Sequence, residues 1–221
     1  MKTALIIGRS GGIGSALAQE LEARGVAVTG LSRAEDGLEI TDEASVEHHL
    51  GALEGPFDLI FVATGALKID GAAPEKSLSD LAAKPLADQF ATNAIGPALI
   101  LKHAKRLLPR REPAVLACLS ARVGSIGDNG LGGWYGYRAA KAALNQIVHT
   151  AAIELSRSHR QLACVALHPG TVETRFTADY QDSHPTVTPE TAAARLVDLL
   201  EQLTPEHTGR FFDYAFEEIP W

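Results

Sequence analysis

Runs of four to seven mainly apolar residues alternate along this 221-residue chain with longer segments of helical period. A strand that is apolar on both sides has no face to offer water. Such strands belong in a parallel sheet covered by helices on both faces. Residues 4–7, 26–31, 57–63, 113–119, 161–167 and 209–213 read as the strands. Helical period marks residues 12–24, where Ile13, Leu17 and Leu21 share a face, and 135–156. Thr41 can N-cap a helix running to about residue 53, and Thr188, with Pro189 in the first turn, one running to about residue 203. Residues 78–108 are helical in composition, but Pro85 and Pro97 break or kink them. With right-handed crossovers and no repeat or linker, the pattern predicts one doubly wound α/β domain over residues 1–221. Ligands of such sheets bind beyond the carboxyl ends of the strands.

Bulk properties remove several alternatives. A net charge of −7 argues against nucleic acid or a membrane surface as a general partner. No run of about 18 apolar residues is present to span a bilayer. Met1-Lys2-Thr3 leads straight into the first strand without a signal-peptide layout, so the expected location is the cytoplasm. Cys118 and Cys164 lie in apolar runs and read as buried thiols. The eight histidines lack ligand spacing: His48 and His49 are adjacent, and His168 before Pro169 reads as structural. No metal site is expected.

The first strand runs directly into Gly8-Arg9-Ser10-Gly11-Gly12-Ile13-Gly14, and a helix follows. Glycine permits a tight turn and lets a pyrophosphate approach the main chain. Free N–H groups and the dipole at the helix N-terminus then hold the anion. Further along, Tyr137 and Lys141 stand four apart on the long helix, which puts both on one face. An ammonium beside a phenol favours the phenolate and lowers its pKa from about 10, which makes a usable proton donor near neutral pH. Tyr135 has Ala139 at the corresponding position and lacks such a partner.

These features together resemble the short-chain dehydrogenase/reductase family, with its Thr-Gly-x-x-x-Gly-Ile-Gly turn. Gly8, Gly12, Ile13 and Gly14 match it, and Ile7 replaces the Thr. Tyr137 and Lys141 fill the family's Tyr-x-x-x-Lys, and Ser120 stands at the end of the preceding strand. The separation from Ser120 to Tyr137 is longer than usual by a few residues. Asn93 matches an Asn in the helix before that strand, and Pro169-Gly170-Thr171-Val172-Glu173-Thr174 matches Pro-Gly-x-x-x-Thr. Ala63-Thr64-Gly65 stands where the family has Asn-Ala-Gly. The chain is similar in particular to small C-factor-like members, which share Gly-Gly-Trp-Tyr before the catalytic Tyr.

The resemblance implies a Rossmann-type sheet of about seven strands, counting a short one near residues 38–40. It implies hydride transfer between a nicotinamide and a small carbonyl or alcohol, in a homodimer or homotetramer. Tyr137 would move the proton, and Lys141 would act on Tyr137 and the ribose. Ser120 would hold the reacting oxygen, and Asn93 a relay water. The cofactor would lie along Gly8, Arg9, Ser10, Gly12, Ile13 and Gly14, then against Ala63, Thr64 and Gly65. Pro169, Gly170, Val172 and Thr174 would close its far side, and Glu39 with Ile40 would meet the adenine.

The second strand ends Leu31-Ser32-Arg33, where members that prefer NAD place an Asp. A hydroxyl and a cation, with Arg9 nearby, suit a 2′-phosphate, so NADP(H) is predicted over NAD(H). Residues 173–188 form the expected substrate lid, with Phe176 and Tyr180 as apolar contacts. A second reading is a nucleotide-binding signalling protein of C-factor type with vestigial turnover. Such a protein needs the glycine turn but not the proton donor, and Ser120, Tyr137 and Lys141 are all present.

Overall fold

The computed structural model describes residues 1–174, 176 and 186–221. Its strands are β1 (Thr3–Ile7), β2 (Ala27–Leu31), β3 (Leu59–Val62), β4 (Ala114–Leu119), β5 (Leu162–His168) and β6 (Phe211–Asp213). They form one parallel sheet in the order β2-β1-β3-β4-β5-β6. Strand order reverses between β1 and β3, so a crevice opens there beyond the carboxyl ends.

Alternation along each strand feeds two separate cores. Leu5 and Ile7 of β1 and Ile60 and Val62 of β3 face one layer. That layer contains α3 (Glu43–Gly51), α5 (Gly96–Ala104) and α6 (Tyr135–Leu155). Ala4, Ile6, Leu59 and Phe61 face the other, made by α1 (Gly12–Ala23) and α7 (Pro189–Gln202). Both faces of the inner strands β1, β3, β4 and β5 are dry, which is why these strands are almost continuously apolar. Each fully buried Leu or Ile contributes about 1.5–3 kcal/mol relative to exposure.

Three local expectations differ from the structure. Residues 38–40 form no strand, and the sheet of the described residues has six strands. There the chain instead folds α2 (Arg33–Asp36) and a turn in which Glu39 takes hydrogen bonds from Thr41. The cap of α3 is Asp42, whose carboxylate accepts from Ala44 N–H at 3.0 Å; Thr41 donates to Glu39. The segment 78–108 divides into α4 (Ala83–Phe90), a π-helical turn (Ala91–Ile95) and α5. Pro85 falls in the first turn of α4 and Pro97 in that of α5. At Pro85 the missing N–H costs little, because the first turn of a helix leaves that group without an intrahelical partner.

The aromatic run after β6 packs on this fold itself. Trp221 stacks on Phe211 at 5.9 Å, and its carbonyl accepts from Gly127 N–H at 2.9 Å. Ser125 donates to the Pro220 carbonyl at 2.5 Å. The loop that follows β4 is thereby tied down on one side. No helix of the described residues is long and apolar enough to cross a membrane.

Candidate active site

The glycine turn has the shape its sequence demands. Gly8 has φ +91°, and a Cβ there would stand 2.9 Å from the Ala63 carbonyl oxygen. A Cβ at Gly12 would meet Thr174 Cγ2 at 2.6 Å, and one at Gly14 would collide with the Gly8 carbonyl. No side chain caps the N-terminus of α1 and no acid stands in its first turn, so its N–H groups and dipole are left for an anion. Ser10, Gly12 and Ile13 line a cleft of about 1120 Å³. Ala63, Thr64 and Gly65 form its floor, and Pro169, Gly170, Val172 and Thr174 its far wall. The Thr64 hydroxyl is buried there without a hydrogen-bond partner. This cradle fits a dinucleotide.

Ser120, Tyr137 and Lys141 line the same cleft. Ser120 follows β4, and the other two lie one turn apart on α6. Lys141 is 2% exposed, and its ammonium donates to the Leu119 carbonyl at 2.9 Å. Burial lowers its pKa from 10.5 to about 8, with the Cys118 thiol acting weakly the other way. Tyr137 is also buried, edge-on to Trp134 at 6.3 Å and tilted against Phe176 at 5.9 Å. The expected lowering of the Tyr137 pKa is reversed here. The Lys141 Nζ stands 5.9 Å from the ring centre, and desolvation pushes the phenol up.

Asn93 sits in the π-helical turn and is wholly buried. Its amide donates to Ala66 O at 2.8 Å and Gln89 Oε1 at 2.7 Å and accepts from Ala66 N–H at 3.0 Å. Both N–H donors are committed to the protein, so a relay water would be held by the second lone pair of the amide oxygen or by the main chain. What the side chain does is clamp the Gly65–Ala66 turn. A Cβ at Gly65 would come 2.9 Å from Asn93 Oδ1 and 3.3 Å from Lys141 Nζ.

A model of the enoyl-(acyl carrier protein) reductase family matches residues 38–211. The 1-hydroxy-2-glutathionyl-2-methyl-3-butene dehydrogenase of Rhodococcus sp. (strain AD45) is 32% identical over 96% of each chain. The chain belongs to the short-chain dehydrogenase/reductase family. It is an oxidoreductase that uses NAD(P)H on carbonyl or alcohol substrates. The C-signal of Myxococcus xanthus is 34% identical over 66% of this chain and 84% of its own. The NADPH-bound carbonyl reductase from chicken fatty liver has the same fold: TM-score 0.85 over 100% of this chain and 99% of that one, at 21% identity.

The short-chain dehydrogenase/reductase motifs do not reveal every residue that builds this site. Trp134 begins α6 with φ +52° and offers no side-chain cap. Glu75, buried and distant in sequence, caps the helix instead. Its carboxylate accepts from Gly136 N–H at 3.0 Å, and its carbonyl from Trp134 N–H at 2.6 Å. An anion at a helix N-terminus is well placed, and Tyr137 follows one residue later. Glu75→Ala is expected to lower stability by about 1–3 kcal/mol in urea unfolding. A loss under about 0.5 kcal/mol would show that Glu75 does not cap α6. The other residue missed is Asn145, to which the Ser120 hydroxyl donates at 2.6 Å. Neither carries a motif, because each is a single polar residue brought in by packing.

At the β2 end, Ser32 is buried as the cap of α2, bonded to Glu35 N–H and Asp36. Arg33 is 80% exposed beside Glu39 at 3.7 Å, and Arg9 crosses Gly30 to pair with Glu22 at 3.0 Å. Burial works against the Glu39 carboxylate, but Thr41 and Arg33 outweigh it and hold its pKa below the usual value. Ile40 packs under Gly96. Past the far wall, Val172 bridges to Val187, and Glu173 N–H donates to the Val187 carbonyl at 2.9 Å. The two ends of segment 173–188 are thus fastened together. Tyr180 lies outside the described residues, whereas Phe176 stands at Tyr137.

Proposed function

We propose that this protein is an NADP(H)-dependent reductase or dehydrogenase of small carbonyls and alcohols, with Ser120, Tyr137 and Lys141 as its reacting groups. The observation that carries this is their convergence on the cleft that the glycine turn also lines. The bound nicotinamide supplies the hydride. Tyr137 gives its phenolic proton to the carbonyl oxygen in reduction and takes one back in oxidation. The phenol carries its proton at neutral pH, the form that reduction needs, and burial makes it a weaker acid than an exposed phenol. Ser120 holds the reacting oxygen, and Lys141 supplies positive charge beside Tyr137 and holds the ribose. Phe176, its ring 5.9 Å from that of Tyr137, excludes water there, whereas residue 175 and residues 177–185 of the expected lid lie outside the described residues.

The test is oxidation of NADPH with a panel of aldehydes and ketones, and reduction of NADP⁺ with alcohols. Leu67, Trp134 and Phe176 give the cleft an apolar side. Thioether alcohols belong in the panel too, given the name of the Rhodococcus relative. Tight NADPH binding with no turnover of any compound would favour the signalling reading, which the similarity to the C-signal keeps in view.

The coenzyme preference follows from charge. Arg33 and Arg9 each hold only a surface ion pair, worth about 0–1 kcal/mol, so both can turn to a 2′-phosphate. Glu39 stays ionised, and Arg33 must screen it. NADPH is expected to bind at least about tenfold tighter than NADH, and Arg33→Ser to remove most of that gap. Equal or tighter binding of NADH in fluorescence titration would overturn the preference.

A further inference from the structure

We propose that Asn145 is a positioning residue that sets the direction of the Ser120 hydroxyl and acts on the reaction only through it. This rests on the reading of Ser120 as the group that holds the reacting oxygen. Ser120 is 4% exposed and Asn145 3% exposed. Asn145 lies one turn beyond Lys141 and two beyond Tyr137, on the same face of α6. The Ser120 hydroxyl carries one proton and donates it to Asn145 Oδ1 at 2.6 Å. A hydroxyl without a partner turns among its staggered positions. Turning the amide over lets its otherwise unpartnered Nδ2 donate to Ser120 Oγ instead, which frees the hydroxyl proton and directs it at the reacting oxygen.

Stability does not account for Asn145. Its neighbours on this face, Leu144, Val148 and Ala152, are buried in the core. Its amide Nδ2 is buried with no hydrogen-bond partner. An amide half satisfied in an apolar layer costs more stability than a leucine of similar shape would. The one bond it makes is to the serine of the site. A polar group kept at that cost, with that single partner, is accounted for by what it does to Ser120.

The experiment compares wild type, Asn145→Leu, Ser120→Ala and the double variant. Turnover is read with NADPH and 4-nitrobenzaldehyde, NADPH affinity by fluorescence titration, and stability by thermal melting. Asn145→Leu is expected to lower kcat about tenfold or more with NADPH affinity unchanged and no loss of melting temperature. In the Ser120→Ala background it is expected to cost less than about twofold, because its target is gone. A tenfold loss that persists in that background overturns the proposal, as does a kcat equal to wild type. A falling melting temperature with weaker NADPH binding assigns a structural role instead. Should Ser120→Ala itself turn over like wild type, the reading of Ser120 fails first. Asn145→Ala, which adds no bulk, makes the same comparison where leucine does not fit.

Discussion

Replacing Tyr137 by Phe is expected to cut NADPH-dependent turnover by about 10³-fold while leaving NADPH affinity within about twofold. The substitution removes one oxygen and keeps the ring, so the contacts with Trp134 and Phe176 persist. Burial of the ring is also unchanged, and the melting temperature should hold or rise slightly. What disappears is the proton that the carbonyl oxygen receives. Steady-state rates and a binding titration separate the two effects. A turnover within tenfold of wild type would mean that another group, or water, supplies the proton.

Lys141→Met should make the protein more stable and less active at once. The ammonium is buried, and its pKa falls from 10.5 to about 8 because desolvation disfavours the charge. That shift corresponds to about 3 kcal/mol against the folded state when the group is charged. Methionine matches the stem in length and carries no charge. It forfeits the hydrogen bond to the Leu119 carbonyl, so the net gain at pH 7 is about 1–2 kcal/mol. Turnover should fall at least about 100-fold, because Tyr137 loses its charged neighbour.

The pH dependence gives the sign. Between the folded pKa near 8 and the unfolded 10.5, the unfolded chain binds more protons. Wild-type stability from this group therefore rises with pH across that window and is lowest below it. The advantage of Lys141→Met is largest at pH 7 and shrinks toward pH 10. Urea unfolding at both values reads this. A variant less stable than wild type at pH 7, with a gap that ignores pH, would contradict the buried-charge account.

The layered sheet, the glycine turn and the Tyr137–Lys141 pair are legible because each follows from residue spacing. Periods of two and 3.6 belong to the chain itself. Glu75 and Asn145 are not legible: they touch partners 61 and 25 residues away, at Gly136 and Ser120. The Tyr137 pKa shift has the opposite sign to the one that spacing predicts, for the same reason. Spacing places the ammonium near the phenol, but burial by the rest of the fold outweighs it. Asn93 is legible through its match to the family, and its bonds to Ala66 and Gln89 add a clamp that the match does not reveal. Ser32 and Arg33 are neighbours in sequence, whereas in the fold Ser32 is buried as the cap of α2 and Arg33 is exposed.

The π-helical turn at Ala91–Ile95 has a consequence for how this region can change. An α-helix advances about 100° per residue, and a wide turn absorbs one extra residue without breaking the rod. Gln89 before it and Asn93 within it point to the turn after β3. After it, Ile100 and Ala104 point into the sheet. The wide turn lets one continuous helix serve two clients. Removing a single residue at 94 or 95 would close it to an ordinary α-turn and leave the residues after it in phase with the sheet. The same deletion in an ordinary stretch of helix would turn everything downstream by about 100°, so this short stretch should tolerate the loss of a residue better than its neighbours do.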